Sequence, residues 1–318
     1  MAPWAPGASC ATLQRRAAMM AHVRQFFAER AVLEVDTPLL SAAGALDPQL
    51  ESFRVPAGGR TLFLQTSPES AMKRLLAAGS GSIYQLGHAF RKEEQGRLHN
   101  PEFLLLEWYR VGFSDRELMA EIETLVRQLL APERHLQATE YRSYGALFQD
   151  LLGVDVHGAS ASELAACAHA AGLSLQGDTA APVWRDLLLT HLIEPQLGAD
   201  RLTFVYDYPA DAAALARLRP GPPPVAARFE LYLDGIELAN GYDEEPDAGV
   251  LRARFEGQRR TRQQQGQPDV PLDTHLLAAL EAGLPECAGV ALGIDRLLML
   301  ALRAPELAQV LPFPSDRA

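Results

Sequence analysis

The chain has 318 residues, 48% hydrophobic and 22% charged, which suits a globular protein able to bury a sizeable core as one large domain with an insertion or as two domains. A formal net charge of −11 argues against a generic, charge-driven nucleic-acid binder, because counterion release needs clustered Lys and Arg. Three distant cysteines, Cys10, Cys167 and Cys287, exclude a CxxC zinc cluster or a disulfide framework and fit a reducing cytoplasm; no apolar run reaches the ~20 residues of a membrane span.

The first residues, "MAPWAPGAS", lack the basic-then-apolar order of a signal peptide, and residues 1–12 are expected to be a disordered tail. From Leu13, apolar residues at Ala17, Met20, Val23 and Phe27 predict an amphipathic helix. "VLEVDTPLL" follows as an extended segment, since Pro38 cannot continue a helix. "TLFLQTSPESAMKRLLAAGSG" reads as a strand, Ser67 as N-cap, Pro68 at the first helical position, and a helix closing near Gly79. "SIYQLGHAFR" and "PEFLLLEWYR" are strands of a hairpin joined by the polar loop "KEEQGRLHN". A helix then starts with a capping box of Ser114 and Glu117.

Residues of about 131–200 weaken into Ala-rich helical pieces and predict an inserted helical subdomain. "RLTFVYDYP" is a strand, "RPGPPPVAA" a surface loop, and "RFELYLDGIELANG" a hairpin turning at Asp234 and Gly235. "DAGVLRARFEGQRRTRQQQG" predicts a charged, exposed helix, and "GVALGIDRLLMLAL" a Gly-bearing strand or turn feeding an apolar helix. Hairpins separated by helical blocks make the fold class α+β, with an antiparallel sheet flanked by helices.

Strand alternation places Phe103, Leu105, Glu107 and Tyr109 on one face and Leu104, Leu106 and Trp108 on the other. Ala89, Arg91 and Glu93 share a parity on the preceding strand, so Arg91 is expected to look into the same space; either an exposed Arg–Glu cross-strand pair or a polar cleft satisfies this pattern. Glu237 and, seven residues on, Glu244 flank Asn240 and Gly241, an arrangement that fits either a solvated acidic turn or a shared divalent cation. Gly289 and Gly293 allow close backbone approach, for packing or for a ligand, and Arg296 opens the last helix.

Taken together, "FRKEEQGRLHNPEF", "GIELANGYDE" and "GVALGIDR" resemble motif 2, the metal-binding hairpin and motif 3 of class II aminoacyl-tRNA synthetases, in the lysyl branch. "RAVLEVDTPLL" resembles motif 1, with Ala31 where that motif usually carries Gly. The resemblance runs from about Leu13 to Ala318 and implies a class II synthetase-like catalytic domain over 13–318. Only about a dozen residues precede the first helix, so no anticodon-binding OB-fold is expected. Within the branch the chain resembles stand-alone paralogues that activate (R)-β-lysine with ATP and transfer it to a lysine of elongation factor P; "SPE", "HNPEF", "LEWYR", "GIELANG" and "SDRA" carry it.

The resemblance implies an adenylate-forming ligase using ATP and Mg2+, with elongation factor P as partner, and a homodimer built through motif 1. Its pattern assigns catalysis to Arg91 and Arg296. ATP contacts fall on Arg91, Lys92, Glu93, His99, Asn100, Phe103, Glu237, Leu238, Gly293 and Arg296, and magnesium on Glu237 and Glu244. The amino-acid pocket comprises Ser67, Pro68, Glu69, Glu107, Tyr109, Asn240, Glu244 and Ala291. Ala291 replaces a glycine of lysyl-tRNA synthetases, which suggests a preference for the β-amino acid. Local readings stay open beside these: Ser67 as an N-cap, Glu69 as a first-turn helix charge, His99 and Lys92 as solvated loop residues. The alternatives to the lysine ligase are another stand-alone amino-acid ligase of this fold and a catalytically silent, amino-acid-binding paralogue.

Overall fold

A computed structural model describes residues 4–177 and 179–318, so residues 1–3 of the expected tail lie outside the described residues. The chain divides into two compact units. The first holds the described residues through Phe113 with Gln128–Arg134 and Glu245–Ala318; the second holds Ser114–Arg127 and His135–Glu244.

In the first unit, α1 (Cys10–Ala28) begins ahead of Leu13 because the Ser9 hydroxyl caps it, accepting the Thr12 N–H at 3.1 Å. Gly7 and Ala8 also donate to the carbonyls of Pro312 and Leu311. The expected apolar stripe through Leu13, Ala17 and Met20 is rotated: Met19, Val23, Phe26 and Phe27 are buried and Ala17 is exposed. Aromatic packing sets this rotation, since Phe27 stacks on Tyr84 (4.4 Å between ring centroids) and meets Trp108 edge-on at 5.4 Å. Ala31, after the helix, has φ 51°, the left-handed region in which a methyl side chain costs about 1–2 kcal/mol and glycine is the favoured occupant.

There follow β1 (Leu33–Glu34), β2 (Leu40–Ser41), β3 (Arg54–Ala57), β4 (Arg60–Leu64), α2 (Glu69–Ala77), β5 (Ile83–Phe90) and β6 (Glu102–Val111). Strands β2, β4 and β3 make a small antiparallel sheet, while β1 pairs parallel with β5 and β5 antiparallel with β6. Pro68, not Ser67, occupies the N-cap position of α2, although the Ser67 hydroxyl still accepts the Glu69 N–H at 3.0 Å.

The second unit opens with most of α3 (Asp115–Leu130), whose start has the expected reciprocal Ser114 and Glu117 bonds. Next come β7 (Glu140–Ser143), α4 (Tyr144–Leu152), α5 (Ala161–Ala170), α6 (Ala181–Leu188), β8 (Thr203–Pro209), β9 (Leu218–Arg219), β10 (Val225–Leu233) and β11 (Ile236–Asp243). Strand β10 pairs antiparallel with β11, β8 and β9, and β7 runs parallel to β8. The helices carry Tyr144, Phe148, Trp184 and Leu188 into one apolar cluster with Tyr208 and Tyr232. Asp234 and Gly235 have φ 51° and 73°, the positive pair that a two-residue hairpin turn requires.

Back in the first unit lie α7 (Ala248–Gln264), α8 (Thr274–Gly283), β12 (Cys287–Gly293) and α9 (Ile294–Ala301), with β12 antiparallel to β6. Helix α7 is not uniformly exposed: Arg262 is 1% exposed and donates to Glu51 at 2.6 Å and to the carbonyls of Asp47 and Leu50. Arg252 and Arg259 pair with Glu281 and Asp269, so much of the basic stretch is spent internally. Among the described residues no helix is long and apolar enough to cross a membrane, and Cys10, Cys167 and Cys287 form no disulfide with one another.

One buried ion pair ties α9 down. Asp295, 2% exposed, takes the Arg16 guanidinium on Oδ1 and the Leu104 N–H on Oδ2 at 2.7 Å. Asp295→Ala strands a part-buried arginine and a buried strand N–H, and is expected to lower unfolding free energy by about 3 kcal/mol in chemical denaturation. A loss under about 1 kcal/mol would show that the pair carries no such weight.

Candidate active site

In the first unit, register across three strands assembles one polar face. Glu107 lies between Gln85 on β5 and Ala291 on β12, and Tyr109 between Ile83 and Gly289. Leu105 is flanked by Gly87 and Gly293, and Phe103 faces Ala89. On this face β12 contributes only the small residues Gly289, Ala291 and Gly293, beside Tyr109, Glu107 and Leu105. The opposite face carries Trp108 beside Tyr84 and Val290, and Leu106 beside Leu86 and Leu292, all buried except the part-exposed Leu86. A single alternation thus separates an apolar side from the side that carries Glu107 and the Tyr109 hydroxyl.

Glu107 is 3% exposed. Its carboxyl accepts the Tyr109 hydroxyl at 2.7 Å and the Ser67 hydroxyl at 2.9 Å. Burial, followed by the nearby Glu69 carboxylate, pushes its pKa up to about 8 against the pull of those hydroxyls and of Lys73. Lys73 is fully buried and donates to Glu69 at 2.6 Å. This lysine escaped the sequence reading, which saw only its helical position; its distance of four residues from Glu69 was the available signal. Pro68 is buried at the start of α2 and fixes the chain direction between Ser67 and Glu69.

Arg91 lies beyond the end of β5, so it is not the cross-strand neighbour of Glu107; Gln85 is. Its guanidinium donates to Glu94 at 3.0 Å and sits 5.0 Å from the Phe103 ring centroid, a cation–π contact. Glu94, absent from the predicted set, is thus the group that holds Arg91. Lys92 and Glu93 are exposed on the same loop.

Arg296 donates to His99 Nε2 at 2.7 Å and to the Leu98 carbonyl at 3.3 Å, which joins the start of α9 to the loop between β5 and β6. Burial and then the Arg296 charge lower the His99 pKa, with Glu94 opposing and Arg91 adding to the fall. This favours the neutral imidazole, and because arginine only donates, Nε2 is the acceptor of that contact. Asn100 is buried; its amide donates to the Glu102 carbonyl at 2.6 Å and its oxygen accepts the Ser315 N–H at 2.9 Å, so it tethers the C-terminal segment.

In the second unit, Asn240 and Gly241 lie inside β11 opposite Glu230 and Phe229, so the expected acidic turn is a strand. A bulge changes its geometry. Register passes from Leu231 opposite Ala239 to Tyr232 opposite Glu237, leaving buried Leu238 with no ladder partner. Glu230 and Tyr232 share a face, hence so do their partners Asn240 and Glu237, although odd spacing would separate them in a regular strand. The alternation from Asn240 through Tyr242 continues to Glu244, which forms an isolated bridge with Ala216 and is 2% exposed. The bulge therefore puts the two carboxylates on one side of the strand. Among the described residues no group of three or more His, Cys, Asp or Glu forms a metal cluster.

Residues 7–317 match the family of tRNA synthetases class II (D, K and N), and the chain belongs to it. Among curated relatives, the elongation factor P--(R)-beta-lysine ligase of Vibrio cholerae is 49% identical over 99% of this chain and 98% of its own. Proteins of the same name from Yersinia enterocolitica and Klebsiella pneumoniae are 47% and 46% identical, each over 100% of this chain and 99% of theirs.

Proposed function

We propose that this protein activates (R)-β-lysine with ATP, forming an enzyme-bound aminoacyl adenylate and pyrophosphate, and then passes the aminoacyl group to a lysine amine of elongation factor P. The observation that carries this reading is the buried Glu107, ringed by hydroxyl donors on a small-residue face beside Glu69. A carboxylate so placed is relieved by a ligand cation, and lysine isomers bring two ammonium groups. The names of the relatives support the same substrate and acceptor.

The substrate carboxylate attacks the α-phosphorus, forming the mixed anhydride as the bond to pyrophosphate breaks. The acceptor amine then attacks the acyl carbon, loses a proton, and expels AMP. Both steps depend on positioning and charge neutralisation more than on a general base. Arg91, aimed by Glu94 and Phe103, is assigned to the α-phosphate, and Arg296 to the γ-phosphate. Lys92, Glu93, His99, Phe103, Gly293 and the Leu238 backbone complete the nucleotide contacts in this reading; Phe103 offers a ring face to adenine.

Glu237 and Glu244 are the residues that would hold magnesium. Among the described residues no third His, Cys, Asp or Glu completes a cluster with them, which suits an ion that takes most of its oxygens from phosphate and water. When bound, magnesium neutralises charge on the triphosphate. Ser67, Glu69, Glu107, Tyr109, Asn240, Glu244 and Ala291 are assigned to the amino acid. A homodimer and a cytoplasmic location belong to the same proposal.

Amino-acid-dependent pyrophosphate exchange tests activation, and transfer of labelled β-lysine to purified elongation factor P or to tRNA tests the acceptor. No exchange with any lysine isomer would favour a silent binding protein; loading of tRNA alone would overturn the protein acceptor. Ala291, the ladder neighbour of Glu107, is the natural site for isomer selection. Ala291→Gly is expected to raise α-lysine activation relative to β-lysine roughly 10-fold, as one methyl in a fitted pocket does. An unchanged ratio of kcat/KM values would remove Ala291 from that role.

A further inference from the structure

The second unit contains a buried carboxylate to which the proposed reaction gives no task. Glu230 sits on β10, 6% exposed, and four groups surround it. Oε2 accepts the Tyr208 hydroxyl at 2.6 Å and the Tyr232 hydroxyl at 2.5 Å. Oε1 accepts Arg228 Nη2 at 2.5 Å and Asn240 Nδ2 at 3.4 Å. Burial, then the carboxylate itself, pushes both phenols well above their ordinary range, so both hydroxyls keep their protons and donate. Arginine has only donors to offer.

A carboxylate filled in this way dictates how its fourth neighbour is turned. Asn240 must present its NH2 to Glu230, because the opposite orientation would set a carbonyl oxygen against a carboxylate oxygen. The oxygen of the same amide is then directed elsewhere. Asn240 Oδ1 is buried and has no hydrogen-bond donor among the described residues. A buried carbonyl left in that state awaits a donor from outside.

We infer that Glu230 is a positioning residue for the amino acid: it fixes the Asn240 amide so that Oδ1 is presented to one ammonium group of the substrate. Glu230 itself touches no reacting atom. The inference rests on the proposed activation of a diamino acid and adds the residue that orients one of its contacts. Arg228 secures the arrangement from the other side, held charged by Glu230 although burial opposes it, and also donating to the Ala212 carbonyl.

The test is Glu230→Gln, in which an N–H replaces one acceptor and lets the Asn240 amide turn round. Pyrophosphate exchange is measured with β-lysine and with two analogues, each lacking one of the two amino groups. KM for β-lysine is expected to rise about 10-fold with kcat and the KM for ATP unchanged. One analogue should show the same rise and the other none, because only one ammonium meets Asn240. Asn240→Ala should raise the same KM, and the double variant should be no worse than Asn240→Ala alone.

Equal losses on all three substrates, or multiplying effects in the double variant, would overturn the inference. If Glu230→Gln leaves Arg228 too costly to bury, the paired change Arg228→Met with Glu230→Gln serves instead. Ratios between analogues on one preparation do not depend on its folded fraction. Wild-type protein that exchanges with no lysine isomer would sink the proposed function; wild-type exchange with an unaltered KM in the variant would sink this inference alone.

Discussion

Glu107→Gln is expected to lower kcat/KM for amino-acid activation on the order of 10²-fold while leaving the KM for ATP unchanged. The variant keeps the shape of the side chain and its contact range to Ser67 and Tyr109, but has no charge to meet a substrate ammonium. Removing one partner of a buried charged contact costs about 2–5 kcal/mol, and 3 kcal/mol corresponds to roughly two decades of rate. The pH dependence should change with it. In the free protein burial raises the Glu107 pKa to about 8 from 4.5, so between those values the folded chain binds one more proton than the unfolded chain. Its contribution to stability therefore falls as pH rises through that window. A bound diammonium ligand stabilises the ionised form and expels the proton, so wild-type affinity should increase from about pH 5 to pH 8. Calorimetry in buffers of different ionisation enthalpy reads the proton directly. Glu107→Gln should release none; equal proton release in both proteins would mean that Glu107 does not face the amino acid.

Arg296→Ala should cost about 10²–10³-fold in kcat for pyrophosphate exchange, the usual effect of removing one preorganised donor from a developing charge. Two effects combine in this substitution. The proposed phosphate contact is lost, and the link from α9 to Leu98 and His99 is lost as well. Arg296→Lys separates them, since an ammonium restores charge without the planar fork. It should recover a fraction of the rate while the KM for lysine stays at the wild-type value. A wild-type rate in Arg296→Ala would exclude a role on the triphosphate.

Much of the first unit could be read before any coordinates. The β5/β6 hairpin follows from two apolar runs around a polar loop, and the Glu107 face from parity alone. Parity, however, does not give register. It could not show that Gln85, not Arg91, is opposite Glu107, because that depends on where β5 stops. The stripe on α1 was misplaced for a related reason: Phe26 and Phe27 are both buried, and Tyr84 and Trp108, distant in sequence, set the rotation. Arg262 looked like one more solvated charge on a basic helix, and its burial depends on carbonyls more than 200 residues away. Glu230, whose partners Tyr208 and Asn240 lie 22 and 10 residues away, was invisible for the same physical reason. Those partners converge only after folding, and nothing in local composition marks a carboxylate that will be enclosed.

The bulge at Leu238 carries a consequence for how this chain can change over time. Residue count between Glu237 and Asn240 is as binding as residue identity, because removing one position would restore an ordinary ladder and turn Glu237 to the far side of β11. Substitutions along that strand can be sampled one at a time, whereas insertions and deletions cannot. Length in this segment should therefore be held fixed by selection even where side chains drift.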